Sequence, residues 1–148
     1  MSYTSHRESR VVAVSVERMF DLVADVERYP EFVPLMRSAT IIRRQADAYE
    51  TEQVLALGLF RHRFHTRTEL NRPSSILVTS DDRTFERFDI RWSFAPTSEG
   101  FCQTDFALDC EVRSLLLKPL EALITEMAAT MVNAFAAQAR KLGAAHNL

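Results

Sequence analysis

The sequence predicts an α+β fold in which a curved antiparallel sheet wraps a long C-terminal helix, with two short helices after the first strand. Three observations carry that reading. Phe88, Ile90, Trp92 and Phe94 alternate with Asp89, Arg91 and Ser93, the period-two signature of a half-buried strand. Similar stretches follow one another with short connections, which makes neighbours antiparallel. From about Ser114 to Leu142 the apolar residues instead recur at helical spacing.

The elements follow in order. Tyr3 to Val14 holds no helix breaker and ends in VVAV, so it reads as an opening strand. Ser15 is placed to N-cap a helix in which Val16, Met19, Phe20 and Val23 share a face and Glu17, Arg18 and Asp21 point away. Pro30 stops or restarts that helix, because it has no N–H and clashes with the preceding turn. Asp25 is placed to cap a second short turn, and Pro34 closes the segment.

Next comes RSATIIRRQADAY, the least cleanly alternating strand. YETEQVLALGLFRHRFHTRTEL reads as a hairpin turning at Gly58 and Leu59. Pairing outward sets Leu57 opposite Phe60, Leu55 opposite His62 and Gln53 opposite Phe64 on one face. Glu52 then meets His65 and Glu50 meets Arg67 on the other, where opposite charges support the register. SSILVTS and the Phe88 strand continue the sheet. In CQTDFALDCEV, Cys102, Thr104, Phe106, Leu108, Cys110 and Val112 face inward and Gln103, Asp105, Asp109 and Glu111 outward. On the closing helix Leu116, Leu117, Leu120, Leu123, Ile124, Met127, Ala128, Met131, Ala134, Phe135 and Leu142 occupy one broad arc, with Lys118, Glu126, Asn133 and Arg140 opposite. That arc is wider than packing against a single neighbour requires.

Composition narrows the function. A chain of 148 residues, 47% hydrophobic, fits one domain over residues 1–148 with a substantial core. Three glycines leave little with which to build a phosphate-cradling loop. A net charge of −2 argues against a protein that coats nucleic acid. Cys102 and Cys110 lie too far apart along one strand to bridge, about 26 Å at roughly 3.3 Å per residue, and read as small buried hydrophobes of a reducing compartment. With no basic-then-apolar leader and no membrane-spanning run, a cytoplasmic protein is expected, with any membrane contact peripheral at the inner membrane.

Catalytic signatures are missing from the pattern. His6, His62, His65 and His146 have no metal-ligand spacing with the cysteines, and no nucleophile elbow, Walker loop or His-Glu-x-x-His helix occurs. No metal, no cofactor and no enzymatic activity are expected. His62 reads either as a hydrogen-bonded core histidine or as a polar handle for a bound headgroup, with Thr66, Thr104 and Gln53 as companions. Arg61, Arg63 and Arg67 form an outward stripe, either an ordinary charged face or a dock for anionic lipid or ribosomal RNA. Met127 and Met131 read either as plain core or as an adaptable pocket wall.

The element order and the motif DVERYPEFVP, with Asp25, Val26, Tyr29, Pro30, Phe32 and Pro34 matching, resemble the START-like superfamily of polyketide cyclases, dehydrases and lipid transfer proteins. The likeness is to its coenzyme Q-binding and ribosome association toxin branch. Trp92 and Phe94 in IRWSF and the SLLLKPLE entry to the last helix add to it. One departure is Arg83-Thr84 before Phe85, where a glycine and proline are common.

The resemblance implies a helix-grip fold with an apolar groove between sheet and helix, and DVERYPEFVPLM as a lid kinked at Pro30. The expected lining is Tyr29, Phe32 and Val33 from the lid, Leu55, Leu57, His62, Phe64, Phe88, Trp92 and Phe106 from the sheet, and Leu116, Leu120, Leu123, Met127 and Met131 from the helix. The implied ligand is ubiquinone or a related polyprenyl quinone, bound rather than transformed and delivered for respiration or quinone biosynthesis. The alternative is a regulator that binds the large ribosomal subunit and blocks subunit joining. A cyclase would need an acid–base pair, for which the sequence offers only His62 and Tyr49.

Overall fold

The structure, a computed structural model, describes residues 3–146. Its strands are β1 (Thr4–Val12), β2 (Met36–Arg44), β3 (Ala48–Leu57), β4 (Phe60–Asn71), β5 (Ser75–Thr79), β6 (Phe85–Pro96) and β7 (Cys102–Val112). Helix α1 (Val16–Ala24) and a 3-10 turn (Val26–Glu31) follow β1, and α2 (Lys118–His146) closes the chain. The strands form one antiparallel sheet in the order β1-β7-β6-β5-β4-β3-β2. Its inner face meets α2, as the alternation requires.

Every hairpin pair expected from the sequence occurs in β3–β4: Leu57 with Phe60, Leu55 with His62, Gln53 with Phe64, Glu52 with His65 and Glu50 with Arg67. Gly58 makes the turn at a φ of 60°, which a glycine at the first central position of a two-residue loop supplies without steric cost. The untidy alternation of β2 has a cause. Its register against β3 shifts between Met36 and Ser38 and again between Ile41 and Arg43, and each bulge exchanges the faces of the residues beyond it. A third shift, between Phe85 and Arg87, lets Phe85 and Phe88 face the core together although three positions separate them.

Several boundaries differ from the sequence reading. The opening strand stops at Val12, because the Val14 amide turns back to the Val12 carbonyl at 2.8 Å and leads into Ser15. Ser15 does cap α1, its hydroxyl accepting from the Arg18 amide at 3.2 Å. Asp25 precedes the 3-10 turn without a side-chain capping bond. Leu35 then takes a left-handed φ of 72°, a conformation that costs a residue with a β-carbon roughly 1–2 kcal/mol, and the Ala56 amide holds its carbonyl at 3.0 Å.

The long helix starts at Lys118 instead of Ser114 and continues through Gly143. Ser114 caps a separate 3-10 turn, Leu115–Leu117, so the helical phase projected from Ser114 fails for Leu116, which is 88% exposed. The buried face runs from Leu120 through Leu123, Ile124, Met127, Ala128, Met131 and Phe135, joined by Val132, Ala136 and Ala139. At 29 residues the helix is about 43 Å long. Thr4 of β1 donates to buried Glu121 at 3.1 Å, and Lys118 completes that anchor at 2.8 Å, tying the first strand to the helix. Cys102 and Cys110 are both free and buried. No helix among the described residues is long and apolar enough to cross a membrane.

Candidate functional site

Between the sheet and α2 lies a small cavity of about 30 Å3. Its walls are Val23 and Val26 of the lid region with Tyr29, the sheet residues Met36, Tyr49, Gln53, Thr68, Ile76, Val78, Phe88, Ile90 and Trp92, and Met127 and Met131 of α2. That volume is on the scale of one water, whereas a benzene-sized guest needs about 150 Å3. The expected ligand-sized vacancy is therefore corrected for this conformation: sheet and helix close on one another nearly completely. The reason is aromatic volume.

Phe135 of α2 is the plug. Its ring meets Tyr29 at 5.0 Å, Phe32 at 5.0 Å and Trp92 at 5.2 Å between centroids, each edge to face. Such geometry sets the positive ring edge against the negative face of its neighbour. On the outer side of Phe32 lies a second hollow of about 240 Å3, with an apolar floor of Val14, Leu22, Ala139 and Leu142 and a rim that includes Arg18, Asp21, Asp25 and Arg28. Tyr29 touches the inner cavity and Phe32 the outer one, and both rest on Phe135. The three rings pack together beside both spaces.

Tyrosine hydroxyls fix the lid's backbone. Tyr29 donates to the Val23 carbonyl, and Tyr49 donates to the Ala24 carbonyl at 2.7 Å. Both acceptors belong to the last turn of α1, where carbonyls lack helical partners. Burial, joined by the nearby Tyr49 and Asp25, holds Tyr29 well above the ordinary tyrosine range. Tyr49 is pushed up to about 12, again chiefly by burial. Both remain donors at neutral pH.

Below them the inner face carries a polar cluster. Thr51 and Thr66 share a hydroxyl contact of 2.6 Å, and Gln53 Nε2 donates to them at 3.0 and 3.1 Å. Gln53 and Thr68 bring polar groups to a wall otherwise lined by Trp92, Phe88 and methionine.

Of the residues expected to line the groove, Tyr29, Phe88, Trp92, Met127 and Met131 reach the inner cavity and Phe32 the outer one. Val33, Leu55, Phe64, Phe106, Leu120 and Leu123 are buried in the surrounding core. Leu57, 55% exposed, and Leu116 lie on the surface and line neither space, the first at a hairpin tip and the second ahead of the helix. His62 is half-buried at the sheet end, its Nε2 lying 3.3 Å from Thr84 Oγ1, and its partner on β3 is Leu55. Tyr49 sits six positions up that strand, about 20 Å away, so the two form no acid–base pair. The expected lining left out the wall residues Val23, Val26, Met36, Thr68, Ile76, Val78 and Ile90, and Tyr49 entered it only as a candidate acid or base. Alternation held the signal, since Ile90 shares parity with Phe88, Thr68 with Phe64 and Tyr49 with Gln53.

The arginine stripe is partly neutralised. Arg63 reaches Glu52 at 3.5 Å, and Arg67 donates to Gln45 at 3.3 Å opposite Glu50. His65 lies between Glu52 and Asp82, at 3.4 and 3.3 Å. Among the described residues no group of three or more His, Cys, Asp or Glu side chains is arranged to hold a metal ion.

The family described as polyketide cyclase/dehydrase and lipid transport is matched over residues 12–136. The ribosome association toxin RatA of Pseudomonas aeruginosa is 31% identical over 140 residues, 94% of this chain and 97% of that one. The mitochondrial coenzyme Q-binding protein COQ10 homolog B of Xenopus laevis is 28% identical over 142 residues, 93% of this chain but 58% of that one. Among solved structures, a START superfamily protein from Mycobacterium smegmatis superposes with a TM-score of 0.77 at 19% identity, over 95% of this chain and 99% of that one. The observed architecture is the helix-grip arrangement of that superfamily.

Proposed function

The chain belongs to the polyketide cyclase/dehydrase and lipid transport family, and on that premise we propose that it binds a polyprenyl quinone of the ubiquinone class between sheet and long helix. It then presents the quinone to respiratory or biosynthetic enzymes without transforming it. The carrying observation is the pair of hollows, the inner one lined by Tyr29 and the outer one by Phe32, whose rings both pack on Phe135. In the bound state these rings swing apart and the two spaces merge into one groove.

Magnitudes support the exchange. Removing a methylene from water contributes about 0.8 kcal/mol, so each five-carbon prenyl unit contributes roughly 3–4 kcal/mol before association costs. An aromatic pair is worth about 0.5–1.5 kcal/mol beyond its buried area. Two prenyl units contribute roughly 6–8 kcal/mol before association costs, on the scale of the several ring contacts they displace. Met127 and Met131 accommodate a variable guest because thioether chains are unbranched and adaptable. Gln53, Thr68 and Tyr49 offer hydrogen-bonding groups to a quinone head. The COQ10 relative is named for coenzyme Q binding, which supports the ligand class.

The test is organic extraction of the purified protein with mass spectrometry of its lipids, followed by titration with a short-tailed quinone. Recovery of prenyl lipid and saturable binding are expected. A folded preparation that yields neither ends this reading.

A second reading follows the ribosome association toxins, which match over 97% and 84% of their own lengths. It makes the chain a regulator docking on the large ribosomal subunit. Co-sedimentation with that subunit, weakened when Arg61, Arg63 and Arg67 are changed to glutamate, supports it. Unchanged sedimentation removes it.

A further inference from the structure

The end of the sheet bearing the β3–β4 turn exposes leucines that the fold does not use. Leu57 and Leu59 are 55% and 103% exposed, and Leu115 and Leu116, just beyond β7, are 83% and 88% exposed. Thr84 brings the two pairs to one end of the molecule. Its hydroxyl oxygen meets His62, three residues past Leu59, at 3.3 Å, and its carbonyl accepts from the amide of Arg113, two residues before Leu115, at 2.9 Å.

Local structure does not ask for these side chains. The hairpin turn requires the glycine at Gly58, not a leucine beside it. The 3-10 turn is capped by Ser114 Oγ, which accepts from the Leu116 amide at 3.2 Å whatever side chain stands there. Exposed leucine gives folding nothing and invites aggregation.

Charge identifies the partner. Arg37 and Ser38 of β2, Val54 of β3 and Arg61, His62 and Arg63 of β4 line a shallow hollow of about 620 Å3 next to that turn. Among the described residues Arg37 and Arg61 make no ion pair, and Arg63 reaches only Glu52. Two acids at this end are already engaged, Glu86 by Arg113 at 2.9 Å and Asp82 by Thr84 and His65. A chain whose formal charge is −2 thus presents free guanidinium groups beside projecting leucines.

We infer that this end is a docking face for an anionic lipid bilayer, with the leucine tips entering the interfacial layer and the arginines meeting headgroup phosphates. Projecting tips suit a deformable plane better than a preformed protein groove. Nucleic acid rewards the arginines but not the leucines, since its outer surface is phosphate. The inference does not depend on what the interior holds.

Vesicle flotation tests it, using lipid-stripped protein with phosphatidylcholine alone and with phosphatidylcholine and phosphatidylglycerol at roughly three to one. The wild type floats with the anionic vesicles, more weakly as salt is raised. The double variant Leu59→Asp, Leu116→Asp keeps its melting temperature and loses affinity on the order of a hundredfold, about tenfold per leucine. Arg37→Glu with Arg61→Glu also weakens flotation and flattens its salt dependence. The inference is overturned if the wild type ignores anionic vesicles or if the leucine variant floats equally well. It is overturned too if this face instead supports ribosome co-sedimentation sensitive to the arginines alone, or a homodimer that the leucine variant dissociates. Quinone titration of the same variants reports the interior separately.

Discussion

The ring of Tyr29 meets the ring of Phe135 edge to face at 5.0 Å, and the same Phe135 receives Phe32 of the lid at 5.0 Å. One helical side chain thereby locks a proline-containing turn that a regular helix could not have formed. The apolar residues of DVERYPEFVPLM are spent on that closure: Val26, Tyr29, Val33 and Met36 are buried and Phe32 lines the outer hollow.

Removing the plug separates stability from gating. Phe135→Ala should lower unfolding free energy by about 3–5 kcal/mol, the range for a fully buried phenylalanine. Phe135→Leu keeps most of the volume, and its smaller loss should come with faster quinone uptake in stopped-flow mixing. An unaltered uptake rate in a folded Phe135→Leu protein would show that the rings do not gate the groove.

Trp92 is the chain's one tryptophan, it lies on the cavity wall and it packs on Phe135 at 5.2 Å. A bound quinone head should therefore quench its emission, with a midpoint equal to that from mass-spectrometric binding. Trp92→Phe should abolish the optical signal while keeping most of the affinity. Saturable binding with no change in Trp92 emission would put the head elsewhere.

Met127 faces the cavity at 3% exposure. Met127→Arg buries a charge without a partner, so binding or folding should be lost. Met127→Leu conserves volume and should cost less than about 1.5 kcal/mol. Normal folding and quinone binding by the arginine variant would mean that this helix face does not form the groove.

Much of this arrangement is legible in the residues. Alternation set the β3–β4 register pair by pair, because a slip of one position would expose Leu55 and Phe64 and bury Glu52. Bulges at Met36/Ser38, Ile41/Arg43 and Phe85/Arg87 were not legible, since an inserted residue breaks the period without changing composition. The exposed position of Leu116 escaped for a related reason: Ser114 and Pro119 flank a 3-10 turn whose phase differs from the helix that follows. The near-closure of the groove escaped as well. Whether Phe135 fills a space or borders one depends on ring packing between distant segments, which periodicity does not encode.

Alkaline pH gives a test of the hydroxyls that hold the lid. Burial pushes Tyr49 up to about 12, with Asp25 and Glu27 adding and Thr68 and Arg44 opposing, whereas an unfolded tyrosine titrates near about 10. The folded pKa is the higher of the two. Its stabilisation is thus fully present below about pH 10 and is lost as pH rises through about 12, because the unfolded chain releases its proton first. The slope is about 1.4 kcal/mol per pH unit for this one group. Tyr49→Phe forfeits the bond to the Ala24 carbonyl, about 1 kcal/mol at pH 7, but has nothing to ionise. Cys110, also pushed up to about 12 by burial, contributes its own alkaline loss equally to both proteins and cancels from the comparison. Urea denaturation at neutral pH should therefore favour the wild type, and the advantage should shrink and then reverse between about pH 10 and 12. A gap that stays constant across that interval would place the Tyr49 hydroxyl in contact with solvent and leave the lid without its anchor.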